Sequence, residues 1–164
     1  MKNIKYKSQG NFGLFDEQET YQKLSEIGNP LEKISSVIDF EMFRNTLEDG
    51  ILNKDKKSNA GAKPYDVVMM FKIMILQRYY GLGDTQIEYQ IHDRLSFKKF
   101  LCLESGDKVP DALHWVYRSA LHWVYRSEKT VWLFRENLTK SGLVEQIFEQ
   151  FTKFLMSKGL IMNV

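Results

Sequence analysis

The sequence predicts an all-α fold: one helical bundle that includes a helix-turn-helix-like unit. Three observations lead there. Apolar residues recur about every 3.6 positions in several separate windows, the period of an amphipathic helix. Capping residues open those windows and glycines close them. The 164 residues are 43% hydrophobic and 27% charged, globular values at about the length of one domain.

Residues 17–27 read as a short amphipathic helix ended by Gly28. Asn29-Pro30-Leu31-Glu32 opens the next. Asn29 can cap, Pro30 suits the first helical position, and Glu32 stands where a capping-box carboxylate belongs. Ile34, Val37, Ile38, Phe40, Phe43 and Leu47 continue the helical period, and Asp49-Gly50 is the expected stop. Residues 53–64 are polar, Lys-rich and glycine-containing, and read as a flexible basic connector. Such a run is either a solvated loop or an arm that touches phosphates.

A helix from Tyr65 to Tyr80 follows. Eleven of the fourteen residues from 67 to 80 are apolar, so a central, buried helix is expected, with Met69, Met70, Ile73 and Met74 as core filler. Gly81 and Gly83 can supply the positive φ that stops a helix and turns the chain. Thr85-Gln86-Ile87-Glu88 has the form of a capping box for a helix that ends near His92-Asp93. A third helix, Arg94 to Leu101, turns Leu95, Phe97, Phe100 and Leu101 inward. Residues 104–111 read as a loop. Further on, Thr130 to Thr139 is helical up to Ser141-Gly142. Residues 143–157 set Val144, Ile147, Phe148, Phe151, Phe154 and Leu155 on one helical face, and Gly159 closes it. Residues 160–164 read as the start of a strand that the chain truncates.

Between loop and helix, ALHWVYRS stands twice in tandem, at 112–119 and 120–127. KTVWLFRE, at 129–136, is a loose third copy. Solenoids repeat every 20–50 residues, so two octads do not make one. They read as a local duplication inserted into a single domain that spans 1–164. The octads carry two Arg and no acid; without them the 23 Lys plus Arg would fall to 21, equal to the 21 Asp plus Glu. The formal charge of +2 therefore sits in the repeat.

That near-neutral balance excludes a broadly basic nucleic-acid coat, so any DNA site must come from local placement of Lys and Arg. The one cysteine, Cys102, cannot form a disulfide within the chain, which fits a reducing cytosol. The N-terminus has no apolar run after its lysines, so no signal peptide is read. No stretch reaches the roughly 18 apolar residues of a membrane span. His92, His114 and His122 lack metal-ligand spacing, no phosphate-binding glycine loop is present, and no nucleophile has a partner pattern. No catalytic residue, metal ligand or cofactor is assigned.

The candidate binding surface lies on and beside the capped helix. It comprises Gln86, Tyr89 and Gln90, flanked by Arg78, Arg94, Lys98 and Lys99. Gln can read an adenine edge with two hydrogen bonds, and Lys and Arg hold phosphates. The plainer alternative is a polar solvated face with Tyr89 half-buried.

Several strings together carry a resemblance: KPYDVVMMFKIMILQRYYGLGDTQIEYQIHDRLSFKKFLCL, then GDKVPD, then EKTVWLFRENLTKSGLVEQIFEQF, preceded by NPLEKISSVIDFEMFRNTLED. They resemble the InsH-type N-terminal domain of bacterial insertion-sequence transposases of the IS-five family, from about residue 11 to the end. The resemblance implies a helical DNA-binding domain whose partners are the element's terminal inverted repeats. It also implies a following ribonuclease-H-like core with an Asp-Asp-Glu triad, the only part that would need a divalent metal. No position here matches a triad residue. The family runs from VPD directly into a sequence like EKTVWLFRENL, whereas here the octads intervene. The expectation is a bacterial, cytoplasmic, nucleoid-associated transposase part that binds DNA and does not cut it alone. The rivals are a helical module for transposase self-association and a remnant without function.

Overall fold

In the computed structural model, residues 16–51, 65–104, 106–110 and 130–161 are described. They form eight α-helices and one 3-10 turn, with no strand among them. In chain order these are α1 (Asp16–Ile27), α2 (Pro30–Val37), the 3-10 turn (Phe40–Phe43), α3 (Arg44–Ile51), α4 (Val67–Tyr80), α5 (Asp84–Asp93), α6 (Leu95–Leu101), α7 (Thr130–Lys140) and α8 (Leu143–Ser157). The fold is all-α.

α1 stops at Gly28, whose φ of +97° is open to glycine at little cost. The Asn29 side chain then accepts a hydrogen bond from the Leu31 N–H at 3.0 Å, with Pro30 in the first turn. Glu32 takes another role than the capping box predicted: its Oε1 accepts from Ser25 Oγ at 2.7 Å and from Lys99 Nζ at 2.6 Å.

The predicted single helix from 30 to 49 is broken in two. Ile38 is extended, and the Asp39 side chain accepts from the Glu41 N–H at 3.0 Å, starting a new helical turn. A local side-chain acceptor offers the backbone an alternative to continuing α2. Asp49-Gly50 is not the stop either, because α3 runs through Gly50 to Ile51. A Cβ at residue 50 would overlap the side chain of Leu143, the buried first residue of α8. Gly50 is thus held by a close approach between helices rather than by a turn. Gly50→Ala is expected to cost about 1–2 kcal/mol through overpacking, less whatever Leu143 recovers by changing rotamer. Urea denaturation would read this, and an unchanged midpoint would show that α8 yields freely.

α4 is the centre of the fold, as its all-round apolarity predicts. It touches the 3-10 turn, α3, α5, α6 and α7. Val67, Val68, Met70, Ile73, Leu76 and Gln77 are buried, while Met69 and Met74 pack partly exposed at the edge of the core. Asp66 caps it, accepting from the Met69 N–H at 2.9 Å. Asp66 also receives Arg44 Nη1 at 2.7 Å, and Arg44 grips Glu41 through Nε and Nη2. These partners raise the Arg44 pKa, the Glu41 hydrogen bonds most and Asp66 next. One cation thereby joins the 3-10 turn, α3 and the start of α4.

Residues from every later helix complete the same core: Ile87 and Ile91 of α5, Phe97, Phe100 and Leu101 of α6, Val131, Phe134 and Leu138 of α7, and Leu143 and Ile147 of α8. Leu95 is only half-buried. α8 keeps its predicted bounds, but its apolar arc is wider than the core can cover. Val144 and Phe148 stand exposed beside the buried Ile147. Cys102 ends α6 at a left-handed φ of 58° and is exposed, although the sequence places it in an apolar run. Leu160 and Ile161 are bends rather than strand. The rest of the predicted strand start, the 53–64 connector and the octads at 112–127 lie outside the described residues.

Candidate nucleic-acid interface

The turn between α4 and α5 is built by Gly81 and Gly83. Gly81 adopts φ +64°, and its N–H and that of Leu82 both donate to the Gln77 carbonyl. Two donors on one carbonyl close α4 in the manner of a left-handed cap. The next helix starts two residues earlier than predicted. Gly83 is its N-cap, Asp84 is its first residue, and Gln86 rather than Glu88 reaches back, its Oε1 accepting from the Gly83 N–H at 2.9 Å. Glycine has no side chain to return the bond, so only half of a capping box is made.

α5 packs through Ile87 and Ile91 and turns Thr85, Gln86, Tyr89, His92 and Asp93 outward. Of the residues predicted to bind, Gln86 and Tyr89 lie on this outer face, and Tyr89 is 66% exposed rather than half-buried. Gln86 spends its carbonyl oxygen on the cap but keeps an exposed amide. Gln90 sits off the face and half-buried, its Oε1 buried without a hydrogen-bond partner among the described residues.

The flanking cations divide. Arg78 is exposed in the last turn of α4. Arg94 joins α5 to α6, and its guanidinium lies 5.6 Å from the Tyr80 ring centre and 5.1 Å from that of Phe97. Lys98 is half-buried on α6. Lys99 is engaged elsewhere: it pairs with Glu32 at 2.6 Å and lies over the Tyr21 ring at 5.4 Å, facing α1 and α2. Consecutive helical residues are about 100° apart, so Lys98 leaves α6 in another direction. Hydrogen bonds from Lys99, then from Ser25, hold the Glu32 carboxyl below the ordinary range. That pairing is complete above the normal carboxylate range and is lost as pH falls through the depressed value.

A second polar group was not legible in the sequence. Gln77 is buried at 6% exposure, and its Nε2 donates to Asp84 Oδ1 at 2.8 Å. Arg135 Nη2, from α7, donates to Gln77 Oε1 at 2.8 Å and to Asp84 Oδ1 at 2.7 Å. The only sequence signals were a Gln inside an apolar helix and the Arg that closes the Trp-Leu-Phe-Arg string at 132–135.

A family model described as a transposase domain (DUF772) matches residues 18–114, more than half of the chain. The chain belongs to this transposase-domain family. No solved structure matches it. The matched stretch of the transposase domain takes in nearly all of α1 and α2 through α6, hence the α4–α5 turn and every candidate residue. It ends before α7, so Arg135 lies beyond it. Among the described residues, no three His, Cys, Asp or Glu side chains gather where a metal ion could sit, and no helix is long and apolar enough to cross a membrane.

Proposed function

We propose that this transposase domain binds the terminal inverted repeats of its insertion sequence, as part of an IS-five-type transposase whose cutting chemistry lies in a catalytic core outside this chain. α4, the glycine turn and α5 act as a helix-turn-helix-like unit, with α5 in the major groove. The observation that carries the reading is the placement of cations about α5. Ten residues at 1.5 Å each make α5 about 15 Å long, and the major groove is about 12 Å wide. Arg78 stands beside the turn that leads into α5, and Arg94 with Lys98 beyond its other end, so the two sets would meet phosphates on opposite walls. Between them the outer face offers Thr85, Gln86 and Tyr89 to base edges, the first two from the N-terminal turn that reads bases in such motifs and Tyr89 one turn further on. Asp93, an anion, is at the far end. Gln90 joins the contact if its buried amide turns outward, and Lys99 is left to Glu32 and the packing of α6.

The domain would work on DNA in the bacterial cytoplasm, and needs no cofactor for binding. Fluorescence anisotropy with a terminal-repeat duplex and a scrambled one, from 50 to 200 mM salt, tests the reading. Preference for the repeat, with the logarithm of affinity falling linearly in log salt, supports it. No binding to either duplex refutes it. A second reading, pairing with another transposase chain, is favoured by the exposed Val144 and Phe148 of α8. Sedimentation without DNA would reveal that association.

A further inference from the structure

The geometry points to Arg135 as a positioning residue for α5, which extends the DNA-binding unit beyond the family-matched stretch into α7. The inference rests on the proposed DNA reading. Gln77 is the hub: its backbone carbonyl accepts from Gly81 and Leu82, closing α4, while its buried side chain reaches Asp84. Asp84 is the first residue of α5. The direction in which α5 leaves the turn is therefore tied to where the Asp84 carboxylate is held. One nitrogen of Arg135 holds that carboxylate and Gln77 Oε1 together, at 2.7 and 2.8 Å. Such charge-assisted bonds are shorter and stronger than neutral ones, and the three groups form one closed network.

α7 is anchored well enough to act as a fixed support. Val131, Phe134 and Leu138 are buried on it at intervals of three and four, and it packs on both α3 and α4. Arg135 follows Phe134, so its stem leaves a seated helix. Without Arg135, Gln77 would keep a buried amide oxygen with no donor, and Asp84 would lose the Arg135 guanidinium. Both losses fall on the turn that aims α5. The surface that meets DNA then depends on a side chain 51 residues downstream of Asp84 that need not touch DNA itself.

The test uses the full chain with Arg135→Gln and Arg135→Lys, read by amide hydrogen exchange well below the melting temperature and by affinity for the repeat and scrambled duplexes. Arg135→Gln is expected to speed exchange in α5 about tenfold while α2 and α6 keep their rates. It should also cut the ratio of repeat to scrambled affinity about tenfold without changing the salt slope, and Arg135→Lys should recover part of both. Three results overturn the inference: unchanged α5 exchange, equal acceleration in every helix, or a salt slope reduced by about 0.9, the mark of a lost phosphate contact. If the wild type binds neither duplex, the DNA reading falls, and exchange alone decides whether Arg135 holds α5.

Discussion

Phe43→Ala is expected to lower the stability of the fold by about 3–5 kcal/mol, the usual cost of removing a buried phenyl ring. Phe43 is 2% exposed, at the end of the 3-10 turn. Its ring meets Phe71 of α4 at 5.3 Å between centres and Phe151 of α8 at 6.4 Å. It therefore joins the N-terminal part of the chain to both the central helix and the last one. Truncation removes the burial and the two aromatic contacts, and the 3-10 turn and two helices, each with other fixed contacts, cannot all close the space. Urea denaturation followed by circular dichroism measures the loss. A loss under about 1 kcal/mol would mean that α8 collapses into the gap, against the seating of Leu143 on Gly50.

How far the sequence could be read depended on how local the cause was. α8 has the predicted bounds because Gly142 and Gly159 act within its own ends. The glycine turn after Tyr80 and the inward Phe97, Phe100 and Leu101 of α6 were legible for the same reason. The break after Val37 was not, since periodicity continues through it and only the Asp39 side chain restarts the backbone. Gly50 looks like a stop until Leu143, 93 positions later, is seen to press on it.

The same rule divides the candidate site. Sequence placed Arg78, Gln86, Tyr89, Arg94 and Lys98 around one short helix, and local helical geometry sets them there. Lys99 looks like a twin of Lys98, yet its partner Glu32 is 67 residues away and periodicity carries no trace of it. Gln77 and Arg135, 58 residues apart, were hidden likewise.

Replacing Arg94 by Gln together with Lys98 by Ala should weaken binding to the terminal repeats more than any other pair of cation changes. If each cation neutralises one phosphate, two fewer counterions are released on binding, and the salt slope drops by about 1.8. If counterion release is all that each contact supplies, the loss is about 200-fold at 50 mM salt and about 20-fold at 200 mM. Because that part of the affinity is blind to sequence, the repeat and the scrambled duplex should lose affinity alike. Tyr89→Ala, on the outer face of α5, should do the opposite, narrowing the preference while leaving the slope alone. Arg94 also stacks on Tyr80 and Phe97, so melting has to be followed in parallel; an exposed contact of that kind is worth about 0.5–1 kcal/mol. Lys99→Ala is the internal control. It removes one formal charge, as each half of the double change does, but from a lysine already paired with Glu32 on the side facing α1 and α2. If Lys99→Ala flattened the salt dependence by about 0.9, half the effect of the double change, net charge alone would govern binding and α5 would not be the element that meets DNA. A flattening confined to the Arg94 and Lys98 changes would tie the phosphate contact to the far end of α5.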